Sequence, residues 1–343
     1  QDAIFAYYFY RLINRAREVR LVYSTTKTVT GEGEMSRFLQ QLYYEYPGEV
    51  KVETAVQNVT IPGTQKLEAS KTPEVMKKIE SWLAGGPQAL SPSALSTYIE
   101  CPLRFYYKYI AGIREPETIG EDLDPRVFGN LFHQILEKLY GPYTGSTITA
   151  EQLKKLAGNE SFLKETMNDV FVANIPFIRQ KSTIFNDLQG KNSLIYEVLF
   201  KYIRQFLGRE MEATPFYLVS LEEKVQGEIA LSNGIRVQLG GTIDRTDIRD
   251  NALRIIDYKT GQAGQSIKEI AELFDTEKHS SCKAIFQTLL YSLIVEPDNH
   301  GKLIAPGVIS VKHLFSKEYS MDLLLKKDKN SVEPITLNLV KGD

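Results

Sequence analysis

The chain has 343 residues, 43% of them apolar and 24% charged, which excludes a disordered chain and leaves room for two domains or one large domain with an appendage. No apolar run approaches the roughly 18 residues that a membrane span needs, and 41 Lys and Arg against 43 Asp and Glu exclude binding to nucleic acid through overall charge, so contact with a polyanion needs a local groove. Cys101 and Cys282 are the only cysteines, too few for a disulfide framework or a four-thiolate cluster within this chain, and they fit a reducing compartment.

Gln1 is followed by no charged-then-apolar leader, so the start reads as a cut from a longer polypeptide. From Ala3 to about Ala16 apolar and aromatic residues recur at helical spacing, and Val19 to Ser24 reads as a short strand. Gly31 to Glu45 predicts a second helix, closed by Pro47-Gly48. Glu49 to Ile61 alternates Val with polar residues as a strand does, and Thr72 with Pro73 offers an N-cap and first-turn proline for a helix ending at Gly85-Gly86-Pro87. These signals divide the chain into residues 1–48, a connector strand and helix over 49–88, and a domain over 89–343.

Ser91-Pro92 opens a helical region that continues to Ile110, restarted or kinked at Pro102. Within it Arg104, Phe105, Tyr106, Tyr107, Lys108 and Tyr109 interleave bases and aromatics as single-strand binding surfaces do; a helix packing its rings into the core has the same pattern. A helix around Val127 to Tyr140 buries Phe128, Leu131, Phe132, Ile135, Leu136 and Leu139 on one stripe. Helices near 151–172 and 192–212, a strand-rich region from about 216 to 259, and a helix near 281–295 followed by strand-like segments complete the order. Helices, a β-meander and a helix returning onto it predict a layered α/β domain.

The chemistry concentrates in RVQLGGTIDRTDIRDNALRIIDYKTG, residues 236–261, two strand-like runs joined by a polar turn at Asp250-Asn251. With that turn, Arg249 faces Ala252 and the register sets Asp244 opposite Asp257. Opposed, buried like charges are destabilising unless a cation neutralises them, and a divalent metal is the natural remedy. Lys259 lies two residues after Asp257, so alternation points both to one face, where an ammonium could orient an attacking water. Hard oxygen ligands suit Mg²⁺, with the Tyr258 carbonyl as a further donor. Alternatively, Asp244 and Asp257 make solvent-exposed pairs with Arg245, Arg254 or Lys259, worth little.

Read as Gly241-Thr242-Ile243-Asp244-Arg245 followed by Ile256-Asp257-Tyr258-Lys259-Thr260-Gly261, the segment resembles the core of PD-(D/E)xK nucleases of the RecB/AddB type. Three further matches follow the family's order: Ser91-Pro92-Ser93 with Cys101-Pro102-Leu103-Arg104-Phe105, Gly129-Asn130-Leu131-Phe132-His133, and Gln287 with Tyr291. Together they cover about residues 89 to 316. The resemblance implies a restriction-endonuclease-like α/β core, a mixed central sheet flanked by helices. It implies that His133, otherwise readable as a packing histidine, joins Asp244, Asp257 and the Tyr258 carbonyl on the metal, and that Gln287 and Tyr291, four apart on one helical face, line the DNA groove. The family often carries an acidic residue on the strand before the hairpin, here Glu222 or Glu223. Its AddB-type members often hold an iron-sulfur cluster; Cys101 matches the first ligand, but no later cysteine trio exists, so such a cluster is not supported within this chain.

Tyr10-Arg11-Leu12-Ile13-Asn14-Arg15-Ala16-Arg17-Glu18 followed by Leu21-Val22-Tyr23 resembles the last conserved motif of superfamily 1 helicases, with Arg15 at the position of the γ-phosphate arginine and Asn14 where a threonine is usual. No G-x4-G-K-[ST] loop occurs, so residues 1–48 read as a helicase-like remnant without a P-loop of its own. The resemblances together imply a Mg²⁺-dependent deoxyribonuclease, with Mn²⁺ able to substitute, of the exonuclease type. It would trim single-stranded DNA ends beside an AddA-like helicase-nuclease subunit during double-strand-break repair in the bacterial cytoplasm. The competing class is a non-catalytic DNA-binding or scaffold subunit with an idle nuclease fold; an RNA-directed nuclease would share all these residues.

Overall fold

The computed structural model describes residues 2–23, 27–28, 31–32, 35–54, 67–83, 89–114, 125–175, 188, 191–231, 234–299, 301–328 and 331–342. They form two compact units that divide between Leu67 and Glu68. In the first, α1 (Asp2–Ile13) and α2 (Arg37–Glu45) bring Phe9 and Phe38 into a stack at 5.2 Å. The second helix begins later than the sequence predicts, because Ser36 caps it through the Leu39 N–H while Gly31–Glu32 pairs with Lys27–Thr28. Val19–Tyr23 forms no strand: these residues are exposed and find no neighbouring strand among the described residues to complete a ladder. Residues 49–54 form none for the same reason; Ser24, residues 55–61 and Gly85-Gly86-Pro87 lie outside the described residues. Arg15 follows α1 in a turn and lines an open cleft of this unit with Arg11, Arg17 and Arg20.

The second unit starts with α3 (Pro73–Leu83), whose first turn is held by the Thr72 hydroxyl accepting from Val75 N–H at 3.4 Å. Ser91 caps α4 (Pro92–Glu100) by accepting from Ala94 N–H at 3.2 Å. Cys101 breaks the helix in an extended conformation before Pro102 restarts it as α5 (Pro102–Phe105), which runs into a π-turn over Tyr106–Ile110. Phe105 and Ile110 are buried and Tyr107 is exposed, so the aromatic run is divided between core and surface. The helix α6 (Pro125–Tyr140) buries Leu131, Phe132, Ile135, Leu136 and Leu139, the stripe its spacing predicts. After strand β1 (Ser146–Ile148), the stretch read as one helix is two, α7 (Ala150–Gly158) and α8 (Glu160–Asn174), because Asn159 ends the first and accepts from Phe162 N–H at 3.1 Å to cap the second. The long α9 (Lys191–Ala213) follows.

Strands β2 (Phe216–Ala230), β3 (Arg236–Arg249), β4 (Ala252–Lys259) and β5 (Leu303–Ser310) join β1 in one mixed sheet of order β1-β2-β3-β4-β5, antiparallel except for β4 and β5. The parallel pair is connected through α10 (His279–Val295), as a crossover requires. Helices α6 to α9 bury one face of the sheet with Ile256, Tyr258 and Ile309; α4 and α10 bury the other with Ile243, Leu253 and Ile255. A small sheet of Ser266–Ile267, Leu324–Asp328 and Ser331–Pro334 flanks α10. No helix of the described residues is long and apolar enough to cross a membrane.

The hairpin joining β3 to β4 positions everything that follows. Asp250 and Asn251 adopt φ of 50° and 61°, left-handed values that Asp and Asn tolerate and a two-residue hairpin of this hand demands. Arg249 faces Ala252 as expected, and the ladder continues to Arg245 opposite Ile256. There it stops. Beyond that rung β3 turns its free edge to Leu90 through a bridge at Leu239, while β4 stays with β5, so the sheet forks.

Candidate functional site

Asp244 is the first β3 residue past the last rung, in register with Asp257 on β4. Instead of a ladder bond, the Tyr258 main-chain N–H donates to Asp244 Oδ2 at 2.6 Å. Asp244 is 9% and Asp257 2% exposed, so of the solvent-exposed pairs that spacing alone allowed only Lys259 meets Asp257, a buried carboxylate, while Arg245 and Arg254 both bind Asp247 on the other side of the sheet. Alternation along β3 slips at this point. Ile243 packs on the α10 side, yet Arg245 turns to Glu210 on α9, and Asp244 sits at the reversal.

His133 comes from α6, one position past Phe132, which anchors the helix against Tyr258 with ring centroids 6.3 Å apart. Its Nε2 lies 3.2 Å from the Tyr258 carbonyl and its Nδ1 3.2 Å from Glu222 Oε1 and 3.6 Å from Asp244 Oδ1. With Nε2–H donating to the carbonyl, Nδ1 faces the two acids: in the protonated ring it donates to Glu222, and in the neutral ring it offers its lone pair to a cation held between them. The pair left open by the sequence is separated by geometry: Glu222 reaches His133, whereas Glu223 is exposed. What turns Glu222 inward is a φ of 44°, which costs a side-chain-bearing residue about 1–2 kcal/mol. Alternation of strand residues carries no sign of such a kink. Ligand atoms of His133, Glu222 and Asp244 all lie within 4.8 Å of one another.

On the other bank of the fork, Lys259 Nζ donates to Asp257 Oδ1 at 2.8 Å and to Gln287 Oε1 at 3.1 Å. Gln287 Nε2 in turn lies 3.5 Å from the Tyr291 hydroxyl. Gln287 is half-buried, but Tyr291 is only 5% exposed. Its ring lies on Gly241, where an added Cβ would stand 2.7 Å from the hydroxyl oxygen, so the glycine in the hairpin motif is what admits the tyrosine. The two residues predicted to line a DNA groove therefore form a chain behind Lys259, with Gln287 the more accessible.

Burial dominates the electrostatics. It pushes the Asp244 carboxyl up to about 7, the nearby Asp257 charge adding to the shift. Burial also raises Asp257, against the opposing pull of Lys259. For His133 burial disfavours the cation, but the Glu222 hydrogen bond and the charges of Asp244, Glu222 and Asp257 outweigh it and raise the pKa. A cluster of acids this reluctant to ionise is relieved by a cation. Two carboxylates and one imidazole nitrogen within reach of one another make a donor set suited to a hard divalent ion, with Asp257 beside it. Cys101 is not among these donors: it caps α5, its Sγ accepting from Arg104 N–H at 3.4 Å.

Comparison with known proteins adds to this geometry. The profile of the PD-(D/E)XK nuclease superfamily matches residues 89–335. Three relatives are each named as one subunit of an ATP-dependent helicase/deoxyribonuclease. The protein of Clostridium acetobutylicum is 23% identical over 91% of this chain and 26% of its own length. That of Carboxydothermus hydrogenoformans is 29% identical over 53% of this chain and 17% of its own, and that of Streptococcus agalactiae is 26% identical over 74% and 20%. The chain thus spans about a quarter or less of the curated relatives it matches.

Proposed function

The chain belongs to the PD-(D/E)XK nuclease superfamily, and from that premise we propose that it is the nuclease portion of a helicase-nuclease subunit, hydrolysing phosphodiester bonds of DNA with the help of Mg²⁺. Residues 89–343 carry the nuclease and residues 1–48 are a helicase-like remnant. The relatives' names couple a helicase to a deoxyribonuclease, which supports DNA as the substrate and a helicase as the partner; on this reading the chain trims, exonucleolytically, single-stranded ends unwound by an AddA-like partner during double-strand-break repair in the bacterial cytoplasm. The observation that carries the reading is the fork itself: His133, Glu222 and Asp244 converge within 4.8 Å, and Lys259 is bonded to Asp257 beside them.

In this proposal His133, Glu222 and Asp244 hold the cation, Asp257 and the Tyr258 carbonyl complete its surroundings, and Mn²⁺ can replace Mg²⁺. A divalent ion there supplies charge neutralisation for a phosphodiester and acidifies water. The chain's own residues do the rest. Lys259, fixed between Asp257 and Gln287, points its ammonium where it can orient the attacking water. His133, tied to the Tyr258 carbonyl, keeps one ring nitrogen aimed at the acids. Gln287 and, behind it, Tyr291 border the path of the strand.

The test is digestion of end-labelled single-stranded DNA by the purified chain in Mg²⁺ or Mn²⁺, with an RNA of the same sequence in parallel. Cleavage of the DNA that Asp257→Ala abolishes is the expected result. DNA left as intact by the wild type as by Asp257→Ala would sink the proposal and leave a scaffold with an idle nuclease fold.

A further inference from the structure

Beneath the fork lies a group of four charges that the chemistry proposed above does not use. Glu210 of α9, Arg245 and Asp247 of β3 and Arg254 of β4 are 1%, 0%, 0% and 9% exposed. Arg245 Nη1 donates to Glu210 Oε2, and its Nε donates to Asp247 Oδ2 at 2.6 Å. Arg254 Nε donates to Asp247 Oδ1 at 2.5 Å. The Arg245 guanidinium lies 4.3 Å from the centre of the Phe216 ring and the Arg254 guanidinium 5.7 Å from it. Two acids and two guanidinium groups neutralise one another, but ion pairs with so little exposure seldom hold a fold together better than apolar residues of the same volume would.

Their position explains them better than their energy. Arg245 belongs to the last rung of the β3 and β4 ladder, and the residue before it is Asp244. Past that rung no ladder bond fixes the spacing of Asp244 from Tyr258, whose N–H and carbonyl hold the Asp244 carboxylate and His133. Helix α9 grips both strands there. Glu210 takes Arg245 of β3, and Phe206, one turn earlier on the same helical face, meets the Tyr258 ring of β4 edge-on at 5.7 Å. Asp247 opposite Arg254 ties the two strands two rungs below. We infer that Glu210 and Arg245, with Asp247 and Arg254, are positioning residues that set the separation of β3 and β4 at the fork, and through it the aim of Asp244 at the cation. The inference rests on the metal-site reading above.

The test compares the full chain with Glu210→Met/Arg245→Met, which removes a charge pair together, and with Arg245→Lys, which keeps the charge but not the fork that bridges two acids. Three quantities are measured: the melting temperature, Mn²⁺ affinity by calorimetry, and hydrogen exchange of the Tyr258 amide without metal. The double variant should melt within a few degrees of wild type, bind Mn²⁺ about 10–100-fold more weakly, as loss of groups supporting metal ligands typically does, and exchange the Tyr258 amide faster. Arg245→Lys should move affinity and exchange in the same direction. Folded variants with wild-type affinity and wild-type protection at Tyr258 overturn the inference, as does loss of the fold in both, which would make the group a stability element alone. A wild type that binds no Mn²⁺, with faster Tyr258 exchange in the variants, would instead sink the metal-site reading and leave the positioning intact.

Discussion

The carboxylate of Asp244 is held by the main chain of Tyr258, whose N–H donates to it at 2.6 Å across the point where two strands part. One residue thereby connects four groups of the site: its N–H fixes Asp244, its carbonyl takes His133 Nε2 at 3.2 Å, and its neighbours in sequence are Asp257 and Lys259. The geometry of the site is thus a property of the hairpin, and changes to its acids should be felt in stability as well as in chemistry.

Acid titration should be visible without any metal. Burial pushes Asp244 up to about 7, against about 3.9 in an unfolded chain. The folded state holds the proton more tightly, so this contribution to stability is complete below pH about 4 and is lost as pH rises through about 7. Metal-free protein should therefore melt at a higher temperature at pH 5.5 than at pH 8, and Asp244→Asn should flatten that part of the profile and stabilise the apo protein at pH 8 by up to about 4 kcal/mol. Parallel profiles for the two proteins would show that Asp244 is not the group responsible. Added Mn²⁺ should reverse the trend, since ligation needs the ionised acid.

Adjacent glutamates should behave differently. Glu222 lies 3.2 Å from His133 Nδ1 while Glu223 is exposed. Glu222→Gln should weaken Mn²⁺ binding by about 10-fold or more, and Glu223→Gln should leave it within twofold of wild type. Calorimetric titration of the two variants side by side decides it; equal losses would mean that the strand can shift by one residue.

Much of this arrangement is legible in the amino-acid sequence, and the parts that are not share a cause. Asp250-Asn251 between apolar runs announces a tight turn, and the turn sets the register that runs as far as Arg245 opposite Ile256, one residue short of Asp244 and Asp257. His133 is placed by the helical stripe beside it. The choice of Glu222 over Glu223 is hidden because the inward turn of Glu222 depends on a left-handed φ, which a residue of this type does not favour. The alternative of Arg245 as a surface partner of Asp244 stays open in the sequence because nothing local reveals that Glu210, on a helix earlier in the chain, pairs with Arg245 beneath the sheet. Likewise Val19–Tyr23 alternates well enough for a strand but finds no edge to pair with among the described residues, and the burial of Tyr291 depends on the absence of a side chain at Gly241 on another element.

That last contact is itself testable. An added Cβ at Gly241 would lie 2.7 Å from the Tyr291 hydroxyl and 2.8 Å from a ring carbon, so Gly241→Ala should cost about 1–3 kcal/mol by overpacking. Combining it with Tyr291→Ala should cost less than the sum of the single changes, because the offending ring is gone. Denaturant unfolding of the three variants measures this, and strict additivity would mean that the ring moves aside freely.

Lys259 offers a way to separate chemistry from structure. Its Nζ is shared between Asp257 at 2.8 Å and Gln287 at 3.1 Å, and its charge opposes the upward pull of burial on the Asp257 carboxyl. Replacing it by Met leaves Asp257 buried without that counter-charge, so its pKa should climb further. By the same sign argument as for Asp244, the lost stability then appears as pH rises: Lys259→Met should melt near wild type at pH 5 and lower at pH 8. The Lys259 side chain is one-third exposed, which limits the cost to about 1–2 kcal/mol. Nuclease activity should fall much further, by about 10²–10⁴, while Mn²⁺ affinity stays close to wild type because the ammonium is no ligand. Digestion, melting and calorimetry on one variant thus give three different answers if Lys259 orients water, and proportionate losses in all three if it only props up Asp257.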